Sequence, residues 1–327
     1  MKNIYQILFL LTILVMYSSC NDEWEDEQFE HYVSFKAPLD DNGVTPVYVR
    51  YKADGAVTYK LPLIVSGSKN NMENLQVHIG VDSDTLTTHN YARFQSREEL
   101  YYRELGSSYY EMAPTIDIAS GENTALLDIN YSLKDIDLVD KWVLPLTILN
   151  DDSYNYVANP NKNYKKALLR VMPFNDYSGS YSSTALSIYL KGYEDDAAIV
   201  RSTTMLYVVD ESTAFFYAGT VDEDNTDRRS YKINAKFNED NTVTLTAEDP
   251  NIKFVSNSTP VFSIEEEVNY EHPYILDRYV TISNIDYDFT DYTSVEGYEI
   301  NYTVQGTIML HRSINTQIPD EDQAIQW

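Results

Sequence analysis

From His31 onward, apolar and polar residues alternate in short runs. Leu75, Val77, Ile79 and Val81 alternate with Gln76, His78, Gly80 and Asp82, the period of two that marks a half-buried strand. The longest such run is Tyr298–Leu310. Tyr298, Ile300, Tyr302, Val304, Ile308 and Leu310 share one face, interrupted by Gly306, and Glu299, Asn301, Thr303, Gln305, Thr307 and Met309 share the other. Further runs predict strands at 45–51, 56–66, 114–119, 124–131, 142–149, 166–172, 184–190, 204–209, 214–221, 230–237, 241–247 and 279–289. No stretch of helical length keeps a 3.6-residue period, and Arg97–Glu104 suffices only for a turn or two of helix. The pattern is that of an all-β chain.

Punctuation divides the run of strands. Pro62 and Pro145 each interrupt an apolar segment, and a residue without a ladder donor is expected on an edge strand or at a bulge. Around Pro173–Ser183 the alternation stops and small and turn residues take over. The 327 residues are comfortable for two domains. A boundary near Asp176 gives domains at 31–175 and 176–327.

The first twenty residues carry an address. After Lys2 comes an apolar run from Ile7 to Met16, too short to span a bilayer as a helix and suited to a signal-peptide core. Tyr17-Ser-Ser-Cys20 resembles a relaxed bacterial lipobox, which implies lipidation of Cys20 and cleavage of residues 1–20. Residues 21–30 then form an acidic tether that resembles a surface-export tag of Bacteroidetes lipoproteins. Cys20 is the only cysteine, so a disulfide or thiol nucleophile within one mature chain is excluded.

Charge narrows the function. Lys+Arg total 24 against 51 Asp+Glu, and removing Lys2 with the leader leaves 23 − 51 = −28. Such a balance argues against nucleic acid and against binding anionic lipid through a basic face. No nucleophile elbow, zinc-protease helix or phosphate-binding glycine loop is present. The five histidines (31, 78, 89, 272, 311) share no metal-ligand spacing, and no metal or cofactor is expected. His78 reads as plain surface. The acidic runs Glu194–Asp196, Asp222–Asp227 and Glu265–Glu267 read as solvated turns. Asp222–Asp227 lacks the glycine and distal glutamate of an EF-type calcium loop. Tyrosine is abundant, 29 against 11 Phe and 3 Trp, and an exposed ring can stack on the C–H face of a sugar. Tyr101, Tyr102, Tyr109 and Tyr110 flank a predicted loop at 103–108, and Tyr270 and Tyr274 share a second. These six are the candidate glycan contacts. Trp142 is expected in the core.

Leu75–Asp82, Tyr109-Tyr-Glu-Met112, Trp142-Val-Leu-Pro-Leu146, Pro173-Phe-Asn175, Glu296-Gly-Tyr-Glu-Ile300 and the terminal Asn315–Trp327 resemble Bacteroidetes surface lipoproteins encoded with polysaccharide-uptake machinery. The resemblance implies an N-terminal immunoglobulin-like β-sandwich followed by a C-terminal antiparallel β-barrel-like domain of lipocalin or calycin type. It implies a non-catalytic role in glycan capture at the outer membrane's exposed face. The implied partners are a glycan, the membrane through the lipid anchor, and an uptake porin with its companion lipoproteins. The alternative is a structural or protein-interaction lipoprotein without a sugar site. Glycoside hydrolysis is a third class, because a working carboxylate pair is a property of the fold.

Overall fold

The computed structural model describes residues 29–319. Cys20, the signal segment, Trp24 and Trp327 lie outside the described residues. In the first half the strands are β1 (Tyr32–Phe35), β2 (Thr45–Arg50), β3 (Val57–Val65), β4 (Leu75–Val81), β5 (Tyr102–Glu104), β6 (Tyr110–Met112), β7 (Thr115–Ile118), β8 (Thr124–Tyr131), β9 (Lys141–Ile148), β10 (Val157–Ala158) and β11 (Lys166–Phe174). They form two sheets, in the orders β10-β1-β3-β8-β6 and β2-β11-β9-β4-β7, with β5 pairing onto β9. The sheets face each other as an immunoglobulin-like sandwich. Phe35, Leu61, Leu63, Ile129 and Tyr131 of one sheet share a core with Val47, Val77, Leu144, Leu146 and Leu169 of the other.

The second half supplies β12 (Gly179–Leu190), β13 (Ile199–Val200), β14 (Thr203–Val208), β15 (Thr213–Tyr217), β16 (Lys232–Phe237), β17 (Val243–Ala247), β18 (Val255–Ser256), β19 (Val261–Val268), β20 (Ile275–Asp291) and β21 (Ile300–Asn315). They make one sheet, ordered β17-β16-β15-β14-β12-β21-β20-β18, with β13 on β12 and β19 on β20. An antiparallel bridge from Thr242 to Val261 brings the two ends together, so the sheet nearly closes into a barrel. Its interior holds Tyr181, Ile233, Val280, Tyr287, Val304 and Ile308. The chain is all-β, a sandwich followed by a barrel.

Several expectations change. Pro62 and Pro145 occupy interior strands, β3 and β9, instead of edges. Each sits where a neighbour has just ended. The Pro62 carbonyl accepts from the Lys36 N–H just past β1, and the Pro145 carbonyl accepts from the Asp82 N–H just past β4. A residue's N–H and C=O project to the same side of a strand, so the missing donor faces a gap in the ladder. A helix absent from the sequence reading, α1 (Ser83–Phe94), is capped by Asp82, whose carboxylate accepts from the Thr85 N–H. Its buried residues are only Leu86, Asn90 and Phe94, a narrow stripe broken by an amide. The predicted turn at 97–104 is a short 3-10 helix, Glu98–Leu100, followed by β5. Tyr298 precedes β21 and is exposed, β12 begins five residues before the predicted 184, and Glu265–Glu267 lie within β19.

Gly306 has a specific reason to be glycine. It pairs with Leu186 and Ile285, at the point where both β12 and β20 bulge. Its φ is +142°, and a Cβ there would meet the Ala185 carbonyl oxygen at 2.0 Å.

Between the halves lies a layer of charge. Arg170 of β11 is buried and grips Glu223 with two guanidinium nitrogens, at 3.2 and 2.5 Å. The Tyr207 hydroxyl donates to the same carboxylate at 3.0 Å. Lys141 reaches Asp224 at 3.4 Å, and the Arg228 Nε donates to the Val139 carbonyl at 3.1 Å. Beside this layer, Val139 packs with Phe215 and Tyr217. Asp222–Asp227 is therefore not simply a solvated turn. Burial alone would raise the Glu223 carboxyl, but the charge and hydrogen bonds of Arg170, with help from Lys141, hold it down to about 2 against an ordinary 4.5.

Two outcomes test these readings. Gly306→Ala should destabilise the fold by about 2 kcal/mol, more than Gly297→Ala. Gly297 also has positive φ (+78°) but has nothing within 4 Å of the added Cβ. Equal melting shifts for the two would remove the steric account. The depressed Glu223 carboxyl contributes stability that is fully present above pH 4.5 and is lost as pH falls toward 2, roughly 3 kcal/mol at most. Glu223→Gln should flatten that part of the Tm–pH profile. At neutral pH it should cost about 3 kcal/mol, because Arg170 is left buried without its counter-charge.

Candidate functional site

The six tyrosines chosen from sequence are spread over separate places. Tyr102 is only 3% exposed. Its ring packs 5.6 Å from Phe94 and 5.8 Å from His89, its backbone exchanges two hydrogen bonds with the Asn90 amide, and burial pushes its hydroxyl up to about 12. That ring is structural and offers no face to a ligand. Tyr101 is half-buried against Phe94, with its hydroxyl donating to the Gln95 carbonyl. Tyr109 is half-buried against Trp142, and Tyr110 lies opposite Tyr131 in the ladder. Trp142 is only partly buried, and its indole N–H donates to the Asp137 carbonyl at 2.8 Å. Tyr270 and Tyr274 lie at the turn from β19 to β20. Tyr270 is 97% exposed, and the Tyr274 ring stands 5.7 Å from that of His272. None of the six borders the cavity described next.

A groove of about 460 Å³ opens at one end of the sandwich, beside β1 and β10. Two loops build it, 66–74 after β3 and 149–156 after β9. Its floor is apolar, from Val33, Val65, Leu75 and Val157, and its walls carry Tyr154, Tyr156, Asn70, Asn71, Met72, Glu73, Asn155, Lys69 and His31. Such a mixture, an apolar floor with a few convergent polar groups, is the usual form of a ligand site.

The walls are held by side chains fully committed to the backbone. Asn71 is buried, its amide nitrogen donates to the carbonyls of Glu73 and Ala119, and its oxygen accepts from the Glu73 N–H. The Ser120 hydroxyl donates to the Met72 carbonyl, and the Asn155 amide donates to the Asn74 carbonyl. The Tyr156 hydroxyl accepts from the His78 N–H at 3.0 Å and donates to the Leu149 carbonyl at 2.8 Å. His78 is thus more than surface. Its ring stacks on Tyr154 with centroids 4.0 Å apart and planes within 4°. Tyr156 lies 5.4 Å from Tyr154 and 6.3 Å from His78, distances too short for it to sit on the far side of Tyr154. The Tyr154 face away from His78 is therefore covered by neither ring. The Tyr154 hydroxyl, the Glu73 carboxylate, the Asn155 oxygen and the Asn70 amide nitrogen make no hydrogen bond to other described residues. They are available as donors and acceptors around an aromatic face.

A second cleft of about 540 Å³ lies between α1 and a short helix, α2 (Lys162–Lys165). His89 is the one aromatic ring lining it, and Lys166 there is tied to Asp82 at 2.7 Å. Among the described residues, no group of three or more His, Cys, Asp or Glu is placed to hold a metal ion, and no helix is long and apolar enough to cross a membrane.

The model of a domain of unknown function, DUF4973, matches residues 24–153, and a second family model, described only as a C-terminal domain, matches residues 165–309. A solved structure of a Bacteroides ovatus protein of unknown function is 46% identical, with 90% of this chain and 100% of that one aligned at a TM-score of 0.79. The chain belongs to the family of these Bacteroides proteins, with the DUF4973 domain in its first half. An auxiliary nutrient binding protein from Bacteroides thetaiotaomicron is 45% identical over 91% of this chain and 100% of its own, with a TM-score of 0.80. A multidomain Bacteroides ovatus protein that includes DUF1735 is 45% identical over 90% and 100%, with a TM-score of 0.79. No curated protein matches the chain. Sequence reasoning missed the Tyr154 groove. The available signal was Asn150-Asp-Asp-Ser-Tyr-Asn-Tyr156, two tyrosines in an amide-rich loop, together with Lys69-Asn-Asn-Met-Glu-Asn74.

Proposed function

We propose that the protein is a non-catalytic lipoprotein, anchored through Cys20 and exposed at the outer membrane surface, that binds an oligosaccharide in the Tyr154 groove to assist glycan capture. The observation that carries this reading is that the Tyr154 ring lines the groove with its face away from His78 covered by neither His78 nor Tyr156, beside amide, hydroxyl and carboxylate groups that make no hydrogen bond to other described residues. An aromatic face with such groups around it suits a pyranose, whose C–H face is apolar and whose edge is all hydroxyls. The nutrient binding ascribed to the 45%-identical relative supports a binding role. Electrostatics supports a site without catalysis. A glycosidase needs one carboxyl raised enough to act as an acid. Each carboxylate displaced from its ordinary value among the described residues, including Asp82, Asp137, Asp176, Glu223, Asp277 and Asp288, is displaced downwards. An uptake porin and companion lipoproteins are the partners this reading supplies.

A protein-interaction role is the second reading. It is favoured by β19, where Ile264, Val268 and Tyr270 present exposed apolar side chains on and beside a strand paired on one side by β20.

Calorimetry on the processed chain from Asn21, after a glycan array has chosen a ligand, separates the two. Tyr154→Ala should weaken binding about tenfold, equivalent to 1.4 kcal/mol, while the chain still melts cooperatively, at a lower temperature because the His78 stack is lost. Tyr270→Ala should leave affinity unchanged. Binding of no glycan would favour the interaction reading. For the anchor, Cys20→Ala should shift the protein from the membrane fraction to a soluble or unprocessed form. A variant that still partitions as the wild type does would discard lipid anchoring.

A further inference from the structure

We infer that the Tyr154 groove selects neutral, hydroxyl-rich saccharides and rejects acidic ones. This rests on the glycan-binding reading above and names the class of ligand. The deciding group is Glu73. It is exposed on the groove wall and has neither an ion pair nor a hydrogen bond with other described residues. Lys69, the lysine lining the same groove, has an interaction of its own and forms no ion pair with Glu73. A ligand entering the groove therefore meets a carboxylate with no ion pair among the described residues, in a chain of net charge −27.

Adjacent hydroxyls of a neutral sugar can donate to both Glu73 oxygens, and charge-assisted bonds of this kind are the stronger ones. The Asn70 amide nitrogen then supplies a donor, and the Asn155 oxygen an acceptor, for the remaining hydroxyls. A uronate or sulfate on the same ring would bring a second negative charge beside Glu73 and lose one of the hydroxyl donors. Distant charges are screened at physiological salt within roughly 8 Å, so the wider acidity of the chain acts mainly on approach. The contact with Glu73 is not screened in that way. Like-charge repulsion placed against the wrong ligand is an economical route to specificity.

The test is calorimetry on the processed chain from Asn21 with neutral xylo-, malto-, cello- and manno-oligosaccharides, set against oligogalacturonate and a chondroitin sulfate oligosaccharide. At least one neutral probe should bind, with an affinity nearly independent of salt, and each acidic probe should bind at least tenfold more weakly. Glu73→Gln, at an exposed position outside the core, should keep the melt and bring the acidic probes closer to the best neutral one. An acidic probe that binds as tightly as the neutral ones overturns the selectivity and leaves the glycan reading intact. Unchanged rejection of acidic probes by Glu73→Gln overturns the role of Glu73. Unchanged neutral binding in Tyr154→Ala moves the site elsewhere, and the inference falls with the groove. Failure of every saccharide overturns the glycan reading itself.

Discussion

The Arg170–Glu223 pair is the constraint on which the arrangement of the two halves depends. Arg170 lies in β11, between β2 and β9, so its backbone belongs to the sandwich. Glu223 follows β15, so its backbone belongs to the barrel. A guanidinium taken out of water is costly unless its counter-charge is close and well aligned, and here two nitrogens meet two oxygens while Tyr207 satisfies a further lone pair. Such a pair adds little net stability compared with an apolar contact of the same size. Its effect is on geometry, because any rotation of one half against the other strands a buried charge. Arg50 and Arg278, which both reach Asp176 at the crossing between the halves, work in the same sense. So does Arg312, whose guanidinium donates to the carbonyls of Asn175 and Ser178.

The strands were legible because one face of each is buried, and a period of two is then enforced by water on one side and the core on the other. Thirteen predicted runs besides Tyr298–Leu310 meant little beyond that face, yet Leu75–Val81 and Thr124–Tyr131 emerge with their predicted ends. What sequence does not show is which neighbour a strand has at each residue. A missing donor is costly in a ladder, so Pro62 and Pro145 are expected on an edge or at a bulge. The fold meets the same cost inside the sheets, by ending β1 and β4 one residue short of them. The helix at Ser83–Phe94 escaped for a related reason. It buries three side chains against the sandwich, and its amide Asn90 serves the Tyr102 backbone, so no apolar period forms.

Charge was the least legible property. An acidic run reads as solvated because most carboxylates are, and nothing local distinguishes Glu223 from Asp222 or Asp224. The distinction is made by Arg170 and Tyr207, both far from it along the chain. The groove was hidden for the same reason. Its two loops are separated by some of the longest strands of the sandwich and meet only because β3 and β9 end on the same side. Tyr101-Tyr102 and Tyr109-Tyr110 are singled out by the predicted loop they flank, and each pair is also adjacent in sequence. Adjacent residues in an extended chain point to opposite faces, so adjacency is a poor guide to a shared surface.

With 29 tyrosines, the useful question is what each hydroxyl is doing. Tyr181 donates to the Tyr177 carbonyl, Tyr231 to Asp291, Tyr292 to Asp249 and Tyr156 to the Leu149 carbonyl. These rings are anchored at both ends, body in the core and hydroxyl on a fixed acceptor, and they stiffen the fold. Tyr154 differs. His78 fixes the plane of its ring by stacking, while its hydroxyl makes no hydrogen bond to another described residue and its other face is covered by neither His78 nor Tyr156. A ring held in this way loses little freedom when a ligand arrives, so even a single stacking contact retains most of its value. The committed polar groups around it, Asn71 above all, have already been ordered by folding. Rigidity at this groove and the scarcity of its free polar groups are therefore one property: the atoms that could have bound a ligand loosely were used to build the wall, and few remain.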